Sequence, residues 1–221
     1  GSDVGLGGFA IDGMAVQANG DILLSFTASG TVSGLIGGPG GSTTVDDSDI
    51  IRFTPTSLGS VTAGTLTFHF DGSDVGLTTD NEDVDAITLA SDGRLVVSTL
   101  GSFNVTGASG QDEDLIIFTA TSLGATTAGS FAMHFDGSDV GLADSADEDV
   151  DGAGIRSGGT ILLSTQGLFS VPLVSGDNED IFEFTPTSLG STTAGSYSMF
   201  LDLSVLGIDP TEDIGALEEV E

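Results

Sequence analysis

The sequence predicts an all-β, antiparallel protein made of three copies of one four-stranded unit, and three observations carry that prediction. The phrase FTPTSLG, or FTATSLG, begins at Phe53, Phe118 and Phe184, at spacings of 65 and 66 residues. A second phrase, SDVGL, opens at Ser2, Ser73 and Ser138 and returns in altered form as Ser204-Val205-Leu206-Gly207-Ile208. Between these landmarks each copy holds four strand-like runs and no helical periodicity. A unit of this length cannot bury its own apolar face and must stack on its neighbours. The copies span 1–72, 73–137 and 138–203, and a partial fourth covers 204–221.

In the middle copy the strands are expected at 84–90, 94–100, 114–120 and 130–136. The first two are joined by Ser91-Asp92-Gly93, and the other copies place Asn19-Gly20 and Gly158-Gly159 at the same point. Such dipeptides supply the positive φ of a tight hairpin. The second run is almost continuously apolar, as Ile22-Leu23-Leu24, Leu95-Val96-Val97 and Ile161-Leu162-Leu163, which suits a strand covered on both faces. The outer run alternates, as in Phe68-His69-Phe70 and Phe131-Ala132-Met133-His134-Phe135, so phenylalanine points one way and polar or small residues the other.

Four antiparallel strands repeated in this way follow the grammar of a β-propeller blade, lengthened by two Gly/Ser/Thr-rich connections. A solenoid would need a shorter period, and tandem sandwiches more strands per copy. Glu212-Asp213-Ile214-Gly215-Ala216-Leu217 aligns with Glu82-Asp83-Val84-Asp85-Ala86-Ile87, so the chain is expected to end with one extra strand over 214–220. Residues 8–13 fill the same frame at the other end, without the Glu-Asp pair. Three assemblies fit: a six-bladed ring of two chains, a head-to-tail oligomer or filament joined through the C-terminal strand, or a piece of a longer array.

Thirty-four acidic side chains face three basic ones, Arg52, Arg94 and Arg156, giving a formal charge of −31. Nucleic acid and anionic lipid are therefore poor partners. The 38% of hydrophobic residues sit in regular runs, which argues for a folded chain despite that charge. No cysteine is present, which excludes disulfides, thiolate metal sites and thiol catalysis. No apolar run approaches the ~18 residues of a membrane-spanning helix. No leader-like segment opens the sequence, and Gly1 reads equally as a processed or an engineered start.

First strands open with Glu82-Asp83, Glu148-Asp149 and Glu212-Asp213, and third strands with Asp47-Ser48-Asp49, Asp112-Glu113-Asp114 and Asn178-Glu179-Asp180. First and third strands of a meander run parallel, so these starts share a rim with the DGSDVGL loops, and Asp80 and Asp144 crowd there too. Carboxylates so crowded must share protons or hold a cation. Hard oxygen ligands on glycine-rich loops suit several calcium ions better than magnesium. The candidate ligands are Asp71, Asp74, Glu82, Asp83, Asp85, Asp136, Asp139, Asp147, Glu148, Asp149, Asp151, Glu212 and Asp213. The alternative is that they are solvated loop charges.

Asp147-x-Asp149-x-Asp151-Gly152 resembles the start of an EF-hand loop and the calcium hairpins of integrin-type propeller blades. Gly158 stands where an EF-hand needs its final glutamate, so an EF-hand proper is not expected. The succession DGSDVGL, EDVDA, DEDL and FTPTSLG also resembles acidic repeats of secreted or surface bacterial proteins, which implies an extracellular location rather than an activity. The first repeat departs from this pattern at Phe9-Ala10, so no ligand is assigned there.

No GxSxG frame appears, and His69 and His134 recur at one strand position where Phe200 stands in the third copy, so both read as strand residues. Arg52 and Arg94 read as local ion-pair partners, and Arg156 as a partner of the acidic rim. Asn104-Val105-Thr106 is a glycosylation sequon, and Ser/Thr-rich loops such as 188–196 offer O-linked attachment. The expectation is a non-enzymatic, extracellular, calcium-binding structural repeat protein that self-assembles. A secreted calcium-dependent hydrolase or lyase and a monomeric calcium-dependent adhesin are the alternatives.

Overall fold

The computed structural model describes residues 1–209 and 211–217. The first repeat contains β1 (Ile11–Val16), β2 (Ile22–Phe26), β3 (Gly30–Thr31), β4 (Thr44–Val45), β5 (Ile50–Ser57) and β6 (Ala63–Phe70). The second contains β7 (Ile87–Leu89), β8 (Leu95–Val97), β9 (Phe103–Val105), β10 (Ala108–Gly110), β11 (Leu115–Ser122) and β12 (Ala128–Phe135). The third contains β13 (Gly152–Ile155), β14 (Ile161–Ser164), β15 (Phe169–Val171), β16 (Val174–Gly176), β17 (Ile181–Ser188) and β18 (Ala194–Leu201). Each repeat forms one antiparallel four-stranded meander, β1-β2-β5-β6, β7-β8-β11-β12 and β13-β14-β17-β18, and none closes into a barrel. The long connection after the second strand folds into a small hairpin of its own, β3–β4, β9–β10 or β15–β16, which its Gly/Ser/Thr-rich composition did not announce.

Local chemistry explains the meanders. The first hairpins turn at Gly20, Gly93 and Gly159, with φ of 86°, 81° and 83°, a region that costs glycine little. The second strands β2, β8 and β14 are buried almost throughout, while β6 alternates towards its end. Two large apolar clusters join neighbouring repeats, and a third, around Phe26, Phe53 and Phe68, fills the first repeat. Phe70, Leu77 and Val84 pack with Phe118 and Phe131 at the first junction, and Phe135, Leu142 and Val150 with Phe182, Phe184 and Tyr197 at the second.

The first strands lie side by side, with β7 between β1 and β13. Small residues make that approach feasible. A Cβ on Gly13 would come within 2.8 Å of Ile87 Cγ1, and one on Gly152 within 2.8 Å of the Ile214 carbonyl oxygen and closer still to Ser164 Oγ. Gly152→Ala is therefore expected to destabilise the protein by about 1–3 kcal/mol in urea titration.

The loop around each FTPTSLG ending is tied both to the SDVGL turn of its own repeat and, in the second and third repeats, to the last strand of the repeat before it. The Gly124 and Gly190 amides donate to the His69 and His134 carbonyls, both at 2.8 Å. The Thr127 and Thr193 amides donate to Asp74 Oδ2 and Asp139 Oδ2, both at 2.9 Å, and the Thr62 amide to Asp3 Oδ2 at 3.1 Å. Each SDVGL turn is thus a hook for the loop that follows FTPTSLG in its own repeat. In the altered fourth copy Val205 replaces the hooking aspartate.

The terminal segment enters as a fourth opening. The Ile214 amide donates to the Asn178 carbonyl at 3.3 Å, as Val84 does to Asp47 and Val150 to Asp112, both at 3.1 Å. Leu217 is buried against Leu162 and Ile181. Residues 214–217 are not in a strand ladder, and 218–220 of the expected strand lie outside the described residues.

Candidate metal centre

The structure divides the thirteen sequence-derived ligands into groups with different work. Asp71 Oδ1 accepts from Ser73 Oγ at 2.7 Å and from the Asp74 amide at 3.3 Å, and Asp136 Oδ1 does the same with Ser138 Oγ and the Asp139 amide at 2.8 and 3.3 Å. These two, with the hooks Asp74 and Asp139, shape the SDVGL turns. Glu82 and Glu148 are buried brackets. Glu82 accepts the Thr78 and Thr79 amides on Oε2, at 2.8 and 3.1 Å, and the Asn104 amide on Oε1 at 3.3 Å. Glu148 accepts the Ala143 and Ser170 amides, both at 2.7 Å. Each ties an approach loop to the inserted hairpin. Glu148→Gln leaves an amide donor facing a buried N–H, so a loss of about 1.5–3 kcal/mol is expected by urea titration.

A second group converges where the first strands begin. Asp85 and Asp149 are buried, and Asp85 Oδ2 and Asp149 Oδ1 have no hydrogen-bond donor. Burial, then Asp149 and then Asp12, pushes Asp85 well above the usual carboxylate range. Asp149 is pushed to about 7, chiefly by burial and then by Asp112. Asp151, buried and accepting Ser164 Oγ at 3.2 Å, is pushed to about 9 by burial and by Asp213. Asp213 itself is exposed. Asp83 forms a separate group with Asp47, Asp80 and Asp46, and burial and those charges raise it to about 7. Asp147 and Glu212 are exposed.

The third-strand entries supply residues that the sequence placed on the rim without making them ligands. One carboxylate oxygen from each of Asp112, Glu113 and Asp144 lies within 4.8 Å of the other two. Asp112 Oδ1 and Glu113 Oε2 have no donor. Glu179, which corresponds to Glu113 in the third repeat, is wholly buried with both oxygens unpartnered. Asp12 was also missed. Met14 pairs with Leu24 as Ile87 does with Val97 and Ala153 with Leu163. Asp12 therefore corresponds to Asp85 and Asp151, one residue away from the sequence-derived frame, because the register shifts between Ile11 and Met14.

Among the described residues, the ion pairs of the arginines are with other carboxylates. Arg52 lies 3.7 Å from Asp21, Arg94 pairs with Asp92 at 2.8 Å, and Arg156 pairs with Glu183 at 2.8 Å. Arg156 thus serves strand β17 and also covers the Phe200 ring, 5.4 Å from its centroid. The histidines are strand residues as expected, and burial lowers His69 to about 4. Asn104 is exposed on β9.

Comparison of the chain with family models, with curated proteins and with solved structures gives no match. The functional reading therefore stands on the chain's own chemistry.

Proposed function

We propose that the chain is a secreted or cell-surface structural repeat protein whose sheets are set as propeller-like blades, loaded with calcium and joined end to end with its own copies. The observation that carries this reading is a set of buried carboxylate oxygens without donors at successive repeat entries, Asp85 Oδ2, Asp112 Oδ1, Glu113 Oε2, Asp149 Oδ1 and both oxygens of Glu179. A buried anion of this kind is costly unless protonated or bound to a cation, and the arginines are engaged elsewhere. All-oxygen ligand sets on loops favour calcium.

Assembly is supported by the two end faces. Phe200 occupies the place of His69 and His134, whose carbonyls receive the next repeat, and Gly59 the place of Gly124 and Gly190, which donate. Phe200, Val205, Leu206 and Ile208 are exposed at one end, and Leu58 and Val61 in the loop beside Gly59. A heterologous contact between such ends continues the internal junction from copy to copy. The described part of the terminal segment, 214–217, is already engaged within its own chain.

Calorimetric titration with calcium, followed by sedimentation velocity with and without the ion, tests the reading. Saturable binding with Kd values near or below ~10⁻³ M, and species larger than the monomer in calcium, are expected. Absence of binding removes the metal, and a monomer at every concentration removes the assembly.

A further inference from the structure

We infer that Asp112, Glu113 and Asp144 form a divalent-cation site, of the calcium type, that fastens the second repeat to the third. The inference rests on the calcium reading above and assigns it a specific site. Asp112 and Glu113 lie just before β11 and are 8% and 2% exposed; each has one buried oxygen that no donor reaches, and each offers a carboxylate oxygen to the cluster. Asp144 comes from the exposed loop before β13, so the cluster has one side open to water. Gln111 Nε2 donates to Asp144 Oδ2 at 2.6 Å, which holds that carboxylate over the other two.

The loop shows how this site arose. Glu82 accepts the Thr78 amide at 2.8 Å, and its own amide donates to the Thr79 carbonyl at 2.7 Å. Glu148 accepts the Ala143 amide at 2.7 Å, and its own amide donates to the Ser145 carbonyl at 2.9 Å. Thr78 therefore corresponds to Ala143 and Thr79 to Ser145, and Asp144 is an inserted residue. It accounts for the step from 65 to 66 in the spacing of the FTPTSLG phrases. The extra residue brings a third carboxylate to a pair that the fold already buries. At the first junction the equivalent of Glu113 is Ser48, whose hydroxyl donates to the Leu77 carbonyl at 3.4 Å.

Two buried carboxyl oxygens without donors beside a third carboxylate are costly to hold together without a cation among them. Three carboxylate oxygens with water on the open side suit an ion that takes about six to eight oxygens. The Val150 amide donates to the Asp112 carbonyl at 3.1 Å, so an ion on Asp112 braces the hydrogen bond that joins the two repeats.

The test uses the full chain and four forms: wild type, Asp144→Asn, deletion of Asp144, and Asp209→Asn as a charge-matched control. Asp144 is exposed, and its deletion restores the loop length of the second repeat, so the fold is kept. Terbium luminescence and calcium calorimetry are expected to show one site weakened about tenfold or more in both Asp144 variants and unchanged in the control. In wild type, hydrogen exchange at Val150 is expected to slow about a hundredfold at calcium a hundred times the Kd, and not in Asp144→Asn. If the wild type binds calcium and both Asp144 variants bind as many ions equally tightly, this site is wrong and the calcium reading stands. If the wild type binds neither ion, both fall.

Discussion

Calcium is expected to raise the melting temperature by about 5–10 °C for each filled site, and a chelator to abolish the rise. At a free concentration a hundred times Kd, one site adds about 2.7 kcal/mol. For a chain of this size each kcal/mol moves the midpoint by about 2–4 °C. The physical source is the donor-less oxygens of Asp85, Asp112, Glu113, Asp149 and Glu179, with which no arginine forms an ion pair among the described residues. Differential scanning calorimetry in calcium and in EDTA measures the shift directly. Magnesium is expected to give a smaller rise, because it gives up its water reluctantly. Identical melts in calcium and EDTA would remove bound cations from the account.

Acid is expected to stabilise the metal-free protein. Burial and mutual repulsion raise Asp12 and Asp114 to about 6, Asp49, Asp83 and Asp149 to about 7, Glu113 to about 8 and Asp151 to about 9. Each binds its proton more tightly folded than unfolded. The stability it contributes is complete below the unfolded value near 4 and is lost as pH rises through the folded value. The melt in EDTA should therefore climb as pH falls from 9 to about 5. Over that window one buried group raised to about 7, such as Asp149, gains on the order of 3 kcal/mol, or roughly 5–10 °C. His69 works the other way: lowered to about 4, it costs stability as pH falls below 6.5, so the climb flattens near pH 5. Calcium reverses the trend, because the ion needs ionised carboxylates. Curves in calcium and in EDTA that converge towards pH 5 are the expected signature. An EDTA melt that falls steadily from pH 8 to 5 would show that these groups are solvated instead.

Much of the fold was legible in the sequence because its signals are local. Asp92-Gly93 and Asn19-Gly20 marked their hairpins, and the runs Leu95-Val96-Val97 and Ile161-Leu162-Leu163 marked the strands covered on both faces. The small β9–β10 and β15–β16 hairpins escaped, because their short runs lie in stretches whose glycine and serine content reads as loop. The acidic rim was legible as composition, but not the division of work within it. Glu82 and Glu148 look like ligands in the sequence and act as acceptors for backbone amides in the fold. Asp112 and Glu113 looked like one more acidic pair and are two buried carboxyl groups, each with an oxygen that no donor reaches.

By itself the sequence determined the repeat, the strand order within it and the burial of the second strands, because a two-residue period, a turn dipeptide and a recurring phrase are read within a few neighbours. Only the tertiary structure decided which carboxylates meet. The partnership of Asp12 with Asp85 depends on a register shift in β1. The partnership of Asp144 with Asp112 and Glu113 depends on one inserted residue in a distant loop. Whether a carboxylate is satisfied depends on where the remaining amides and arginines end up, and that is a property of the folded whole.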